Sequence, residues 1–307
     1  MKVLLTGGTG QLGRCMQDRC PDAWQLLVPS SQELNICDQT SVHAYIKQAW
    51  PQLIINAAAY NAVDQAELDP AAAMALNADG PRHLAQAAQQ VGARLVHIST
   101  DYVFDGQAKQ PYEEDVPTNP INTYGKSKRA GELAVLQSQP QAQAIVLRTS
   151  WLYSEYGSNF VKTMLRLAGR GKPVCVVNDQ IGAPTYAGDL AQAIIQLIRN
   201  PEVPGGVYHY AGSTVLSWYG FAQHIFKAAN LAPELIPITT DEYFAAAAAT
   251  TAKAVVSAAT LNSALAIATR PSSSVLSCEK AAQYGVQPQP LQPSLGRVVK
   301  KILNLPS

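Results

Sequence analysis

The chain has 307 residues, 23 Lys and Arg against 22 Asp and Glu, and 47% hydrophobic residues, for a formal charge of +1. That balance excludes disorder and collagen-like structure, supplies neither a basic field for nucleic acid nor a polybasic anchor for a membrane, and favours a small-molecule partner. The length suits one large α/β unit or two closely joined domains.

Met1 to Leu5 runs straight into a glycine turn without a signal-peptide pattern, and no stretch of about 18 apolar residues reads as a membrane span. A cytoplasmic protein is expected. Lys2 to Thr6 reads as a strand and Gln11 to Arg19 as a helix. The alternation repeats: strand Trp24 to Val28, helix Ser41 to Ala49, strand Leu53 to Asn56, helix Ala71 to Val91, strand Leu95 to Ser99, helix Tyr124 to Gln137, strand Ala144 to Arg148. Beyond residue 150 the order mixes, with strand Pro173 to Asn178, helix Tyr186 to Ile198, strand Val207 to Ala211 and helix Ser217 to Ala229. Ala245 to Thr269 is an Ala-rich, low-complexity stretch that suits an inserted helix or a flap equally.

Strands separated by helices predict right-handed crossovers and a doubly wound parallel sheet of Rossmann type, α/β in class, with ligands at the strands' carboxyl ends. A dinucleotide-binding domain is expected over 1–150, completed by parts of 173–230. A smaller, interleaved C-terminal substrate-binding lobe is expected over 151–307.

Thr6-Gly7-Gly8-Thr9-Gly10-Gln11-Leu12-Gly13 fits both a GxGxxG spacing (Gly8, Gly10, Gly13) and a GxxGxxG spacing (Gly7, Gly10, Gly13) directly after the first strand. Glycines there let the backbone approach a pyrophosphate at the positive end of a helix. An NAD site often carries an acidic side chain at the end of the second strand; this chain has Pro29-Ser30-Ser31, so NADPH is expected, with NADH left open.

Tyr124 and Lys128 stand four residues apart on one helical face. A phenol with an ordinary pKa of about 10 becomes more acidic beside an ammonium, so the pair suits proton transfer to or from a carbonyl. Lys128 can also hold the nicotinamide ribose. Ser99-Thr100-Asp101-Tyr102, at the end of a strand, brings hydroxyls towards the same place.

Together these residues resemble the extended short-chain dehydrogenase/reductase group, on its branch of 4-keto-6-deoxy nucleotide-sugar reductases. The likeness covers nearly the whole chain: TGGTGQLG (Thr6 to Gly13), NAAAYNAVDQAE (Asn56 to Glu67), HISTDYVFDG (His97 to Gly106), NTYGKSKRAGE (Asn122 to Glu132), RTSWLY (Arg148 to Tyr153), NFVKTMLRLA (Asn159 to Ala168), NDQIGAPTYAGDLA (Asn178 to Ala191) and RPSSSVLS (Arg270 to Ser277). The resemblance implies a catalytic set of Thr100, Tyr124 and Lys128. It implies cofactor contacts from Gly7, Gly10, Gln11, Leu12, Gly13, Ser30, Asn35, Ile36, Ala57, Ala58, Ala59, Tyr60, Ser99, Tyr124 and Lys128. Substrate contacts are implied for Thr100, Tyr102, Trp151, Asn159, Gln180 and Arg270, the last as a guanidinium for a diphosphate. The implied reaction is NADPH-dependent reduction of the C4 ketone of dTDP-6-deoxy-L-lyxo-4-hexulose to dTDP-L-rhamnose. Another 4-keto-6-deoxy nucleotide sugar stays open, as does a non-catalytic role like that of the regulatory subunit of methionine adenosyltransferase.

The sequence also departs from that group. Asn35 stands where an aspartate is common, and the Trp common near the C-terminal end is missing around Leu291. Cys15 replaces an acidic residue of members with a magnesium-bridged dimer, so no metal site is expected and a monomer or homodimer is. The five cysteines show no CxxC spacing and read as packing thiols, the five histidines read as structural, and Asp64 and Glu67, partly within the matched block, are explained as easily by loop solvation.

Overall fold

The computed structural model describes residues 1–138, 143–246 and 267–304. All but the ends of the Ala-rich stretch Ala245 to Thr269 lie outside the described residues. The first half runs β1 (Lys2–Thr6), α1 (Gln11–Asp18), β2 (Gln25–Leu27), α2 (Gln39–Ala49), β3 (Leu53–Asn56), α3 (Val63–Leu68), α4 (Pro70–Met74), α5 (Gly80–Val91), β4 (Arg94–Thr100), α6 (Thr123–Ser138) and β5 (Ala144–Thr149). The second runs β6 (Leu152–Tyr153), α7 (Phe160–Ala168), β7 (Val174–Val177), β8 (Ile181–Gly182), β9 (Thr185–Tyr186), α8 (Ala187–Arg199), β10 (Gly206–His209), β11 (Leu216–Ser217), α9 (Trp218–Ala228) and β12 (Leu235–Ile238). Helices Glu279–Ala282 and Leu291–Ile302 follow.

The main sheet has the order β10-β5-β4-β3-β1-β2, with every pair parallel. This is the doubly wound α/β sheet of Rossmann type. The chain steps outward from β1 to β2 and then returns to β3 on β1's other side, opening a crevice beyond the carboxyl end of β1. Pleating divides the strand residues between two apolar layers. Val3, Leu5 and Ile55 pack with α1 and α8, whereas Leu4, Ile54 and Val146 pack with α2, α5 and α6.

The later segments pair in different places. β10 joins the main sheet beside β5, while β7 pairs with β12 in a separate two-stranded ribbon. Tyr153, Val161, Phe221, Ile225, Leu295 and Val299 form a second apolar cluster over the crevice's far side.

The helix expected from Ala71 to Val91 is broken. Ala75–Asp79 forms a π turn between α4 and α5, and α3 precedes them, an element the apolar pattern did not reveal. Pro81 is the physical reason for the break: it has no N–H to return to the Asn77 carbonyl four residues back, so the regular ladder cannot continue. That carbonyl instead faces α6 at Gly131, where an added Cβ would sit 2.0 Å from it.

Cys15 and Cys278 are buried and burial pushes the Cys15 thiol up to about 12, but Cys175 is exposed and Cys20 and Cys37 are half-buried, which corrects the reading of all five as packing thiols. Among the described residues no group of His, Cys, Asp and Glu is arranged to hold a metal ion, and no helix is long and apolar enough to cross a membrane.

Candidate active site

At the end of β1 the chain turns through Gly7, which has a left-handed φ of 70°, and the Gly10 N–H donates to its carbonyl at 3.0 Å. A Cβ on Gly7 would lie 2.6 Å from the Ala57 backbone, and one on Gly13 would lie 2.2 Å from the Gly7 carbonyl. The turn, the first helix and the end of β3 are therefore backbone-to-backbone. Gly10 caps α1 without a side-chain hydrogen bond, and no acidic residue occupies its first turn. The free N–H groups there suit an anionic pyrophosphate, and the glycine cradle fits a dinucleotide cofactor.

The crevice in front of this turn encloses about 470 Å³ and is lined by Gly10 to Leu12, Ala57 and Ala59 after β3, Ser99 to Asp101 after β4, Tyr124 and Lys128 of α6, Thr149 to Leu152, and Gly157 to Asn159. The fold thus brings together residues spread over much of the chain. Other expected contacts sit outside this lining. Ala58 donates its N–H to Asn56 Oδ1 at 3.3 Å, and Tyr60 its N–H to Asn77 Oδ1 at 2.8 Å. Asn35 is exposed and accepts from the Cys37 N–H at 3.1 Å, while Ile36 is buried in the layer beneath Gly80.

Ser30 also lies outside the crevice lining. Glu33 folds back so that its Oε2 accepts from the Ser30 N–H at 2.8 Å, and these bonds to Ser30 hold its carboxyl below the usual range. This carboxylate stands two residues beyond Pro29-Ser30-Ser31 and is turned back onto the Ser30 N–H.

The helix carrying Tyr124 and Lys128 is positioned from several sides. Asn122 accepts from the Gly125 N–H at 2.7 Å, an N-cap, and Glu67 accepts from the Thr123 N–H at 2.7 Å and its hydroxyl at 2.6 Å. Asn77, in the π turn, donates to the Ser127 hydroxyl at 2.9 Å. A Cβ on Gly125 would lie 2.2 Å from the Tyr102 carbonyl, so glycine there lets α6 press against the turn after β4. Glu67 is therefore a helix anchor and not a solvated loop carboxylate.

Tyr124 is buried and meets Tyr102 edge to face, with ring centroids 5.9 Å apart. The Thr100 hydroxyl donates to Asp101 Oδ1 at 2.9 Å and accepts from the Tyr102 N–H at 3.2 Å. Lys128 donates to the Ile98 carbonyl at 2.6 Å. The expectation that Lys128 acidifies the phenol is not what the geometry produces. Burial raises the Tyr124 phenol, the Asp101 carboxylate adds to the rise, and the opposing influence is a hydrogen bond with Thr100. Burial pushes Lys128 down to about 8, with the Glu132 carboxylate opposing it, and pushes Asp101 up to about 6 against its hydroxyl and backbone hydrogen bonds. At neutral pH the phenol carries its proton and the lysine its charge.

Trp151 lies across from these groups in a left-handed backbone conformation, φ 46°, with its indole against Gly182. It stacks on Trp218, centroids 3.5 Å apart and planes 5° from parallel. Trp218 opens α9 and was not singled out from the sequence, because no local pattern links it to Trp151. Asn159 caps α7 by accepting from the Lys162 N–H at 3.2 Å and donates to Gln11 Oε1 at 2.9 Å, which ties the second lobe to the first helix. Gln180 is buried and donates to Thr240 Oγ1 at 3.0 Å, and it does not line the crevice. Arg270 also stands outside the lining. It pairs with Asp64 Oδ2 at 2.8 Å and donates to the Ala268 carbonyl at 2.9 Å, so Asp64 is an ion-pair partner and not simply solvated.

A family model described as RmlD substrate binding domain matches residues 1–304. The dTDP-4-dehydrorhamnose reductase of Aggregatibacter actinomycetemcomitans is 40% identical, covering 97% of this chain and 98% of its own length. A dTDP-4-keto-6-deoxy-D-glucose reductase of Streptomyces niveus is 40% identical over 78% of this chain and 82% of its own. The crystal structure of dTDP-4-dehydrorhamnose reductase from Bacillus anthracis str. Ames, in complex with NADP, is 36% identical, superposes with a TM-score of 0.85, and covers 99% of this chain and 98% of that one. Likeness of sequence and of fold extends almost end to end, and the chain belongs to the RmlD substrate binding domain family.

Proposed function

We propose that the protein is an NADPH-dependent oxidoreductase that reduces the C4 ketone of dTDP-6-deoxy-L-lyxo-4-hexulose to give dTDP-L-rhamnose. The observation that carries this is the convergence of a protonated, buried phenol, a buried ammonium and a glycine-cradled helix start on one crevice. The reductase names of end-to-end relatives and the NADP of the similar crystal structure support it.

When bound, NADPH would supply hydride, a proton with two electrons, for the carbonyl carbon. Gly10 to Leu12 would hold its pyrophosphate, and Lys128 its nicotinamide ribose. Thr100 would turn its one hydroxyl proton from Asp101 Oδ1 to the carbonyl oxygen and fix that oxygen's direction. Tyr124 would then give its proton to the oxygen as negative charge develops there, completing the alcohol. Tyr102, edge to face with the phenol, would help to exclude water behind it. The Trp151 and Trp218 stack would form a flat apolar wall for the sugar or the base.

The test is incubation with NADPH or NADH and dTDP-4-keto-6-deoxyglucose together with a 3,5-epimerase, with NMR identification of the product. NADPH oxidation with formation of dTDP-L-rhamnose is expected; no turnover with any 4-keto sugar would overturn the reading. The Streptomyces niveus relative favours a second reading, reduction of the sugar before epimerisation. Turnover without the epimerase would select it.

Removing the lower indole tests the wall. A stacked aromatic pair contributes about 0.5–1.5 kcal/mol beyond its buried area. Trp218→Ala is therefore expected to raise KM for the nucleotide sugar by up to about tenfold, with kcat changed less, as read in initial-rate kinetics.

A further inference from the structure

We infer that Glu132 is a positioning residue of the reduction: it locks the helix bearing Tyr124 and Lys128 to the end of β4 and supplies the buried counter-charge for the Lys128 ammonium. This rests on the proposed roles of Tyr124 and Lys128. Glu132 lies one helical turn beyond Lys128 and its side chain is fully buried. Its Oε1 accepts from the Ser99 hydroxyl at 2.6 Å and from Arg148 Nε at 2.8 Å; its Oε2 accepts from Arg148 at 2.8 Å and from Arg129 at 2.8 Å.

The strand register explains why these partners meet. Ser99 stands opposite Arg148 across the β4–β5 pair, and Arg148 opposite His209 across the β5–β10 pair. His209 Nε2 accepts from Arg148 at 3.2 Å, completing a polar row over three strands onto which Glu132 descends. Ile98, Ser99 and Thr100 are consecutive: the first receives Lys128, the second binds Glu132, and the third faces the phenol. The Glu132 bonds therefore set how α6 sits along the strand that presents Thr100. Holding two elements in such register is what a bond between them contributes to a reacting geometry.

Charge points the same way. Tyr124 and Glu132 face Lys128 from its own helix. From β4 His97 feels the Lys128 charge and Asp101 shares its crevice, while Arg148 is engaged by Glu132 and His209 by Arg148. Burial and the Lys128 charge keep His97 neutral, and burial and Arg148 push His209 down to about 3. Asp64 and Glu67 of α3 are engaged by Arg270 and Thr123. Burial alone would raise the Glu132 carboxyl, but its bonds to Arg148, Ser99 and Arg129 hold it below the usual range and ionised. Its influence on Lys128 opposes burial, so removing it moves the lysine's titration to lower pH.

Glu132→Gln alone would leave the Arg148 guanidinium buried without its partner, so the informative variant is Glu132→Gln with Arg148→Met, read against Arg148→Met alone, in which Glu132 keeps Ser99 and Arg129. In the cofactor-free protein, the ε-carbon of Lys128 is followed by NMR after 13C-lysine labelling, its signal assigned by Lys128→Met. The wild type is expected to titrate near pH 8, and the double variant below Arg148→Met. The fall of kcat towards alkaline pH should shift with it, while the melting temperature stays close to wild type. A folded double variant with both profiles at the positions of Arg148→Met overturns the inference. If it does not fold, Glu132→Asp keeps a charge for Arg148 but draws it back from Ser99: a lowered kcat with unchanged NADPH affinity supports the inference, and a native kcat overturns it. Failure of the wild type to reduce any keto sugar would instead remove the functional reading, and the NMR titration would still decide the charge effect.

Discussion

Tyr124→Phe is expected to lower kcat by about 10²–10⁴-fold, the range that a positioned proton donor contributes, while leaving NADPH affinity and the melting temperature nearly unchanged. The ring would keep its buried contact with Tyr102, so only the hydroxyl is lost. No neighbour can take its place without cost. Thr100 directs its proton to Asp101, and Lys128 directs one of its own to the Ile98 carbonyl. Because burial and Asp101 raise the phenol, the wild-type group is protonated throughout the neutral range, and its ionisation should not limit the rate there. NADPH oxidation with a 4-keto sugar and fluorescence titration of NADPH measure the two quantities separately. Near-native turnover would remove Tyr124 from the chemistry.

Gly13→Ala should cause the next largest loss, and at cofactor binding. A methyl group there would lie 2.2 Å from the Gly7 carbonyl oxygen and 2.6 Å from the Gly8 Cα, both backbone atoms of the turn itself. Overpacking of this kind costs about 1–3 kcal/mol, and the strain falls on the segment that would hold the pyrophosphate. A rise of about 10- to 100-fold in the NADPH Kd is expected, with a drop of several degrees in the melting temperature. Gly10→Ala is the comparison, since its nearest contact is the Gly7 oxygen at 3.3 Å and a small shift accommodates it. Equal NADPH affinity in Gly13→Ala and wild type would show that the close approach of turn and helix is not needed for the cofactor.

The alternation of strands and helices was legible because apolar residues recur with period two or three to four over short segments. That pattern leads to the parallel sheet and to the crevice at β1. Tyr124 and Lys128 were legible for the same reason, since helix geometry alone places residues four apart on one face. The π turn was not, because it depends on where the Pro81 defect meets α6 at Gly131. Nor could the spacing of Tyr124 and Lys128 tell what the lysine does: the charge was expected to act on the phenol, yet burial dominates the phenol and the ammonium turns to Ile98.

Local chemistry along the chain was enough to specify the α/β class, the glycine turn and the phenol–ammonium pair, since each depends on neighbours within a few residues. Long-range packing assigned the rest: Trp218 beneath Trp151, Asp64 to Arg270, Glu67 to Thr123, and Glu132 to Ser99 and Arg148. These partners lie 16 to 206 residues apart. Strand order and helix docking bring them together, and periodicity within a segment carries no information about which distant charge or ring will fill the space opposite it.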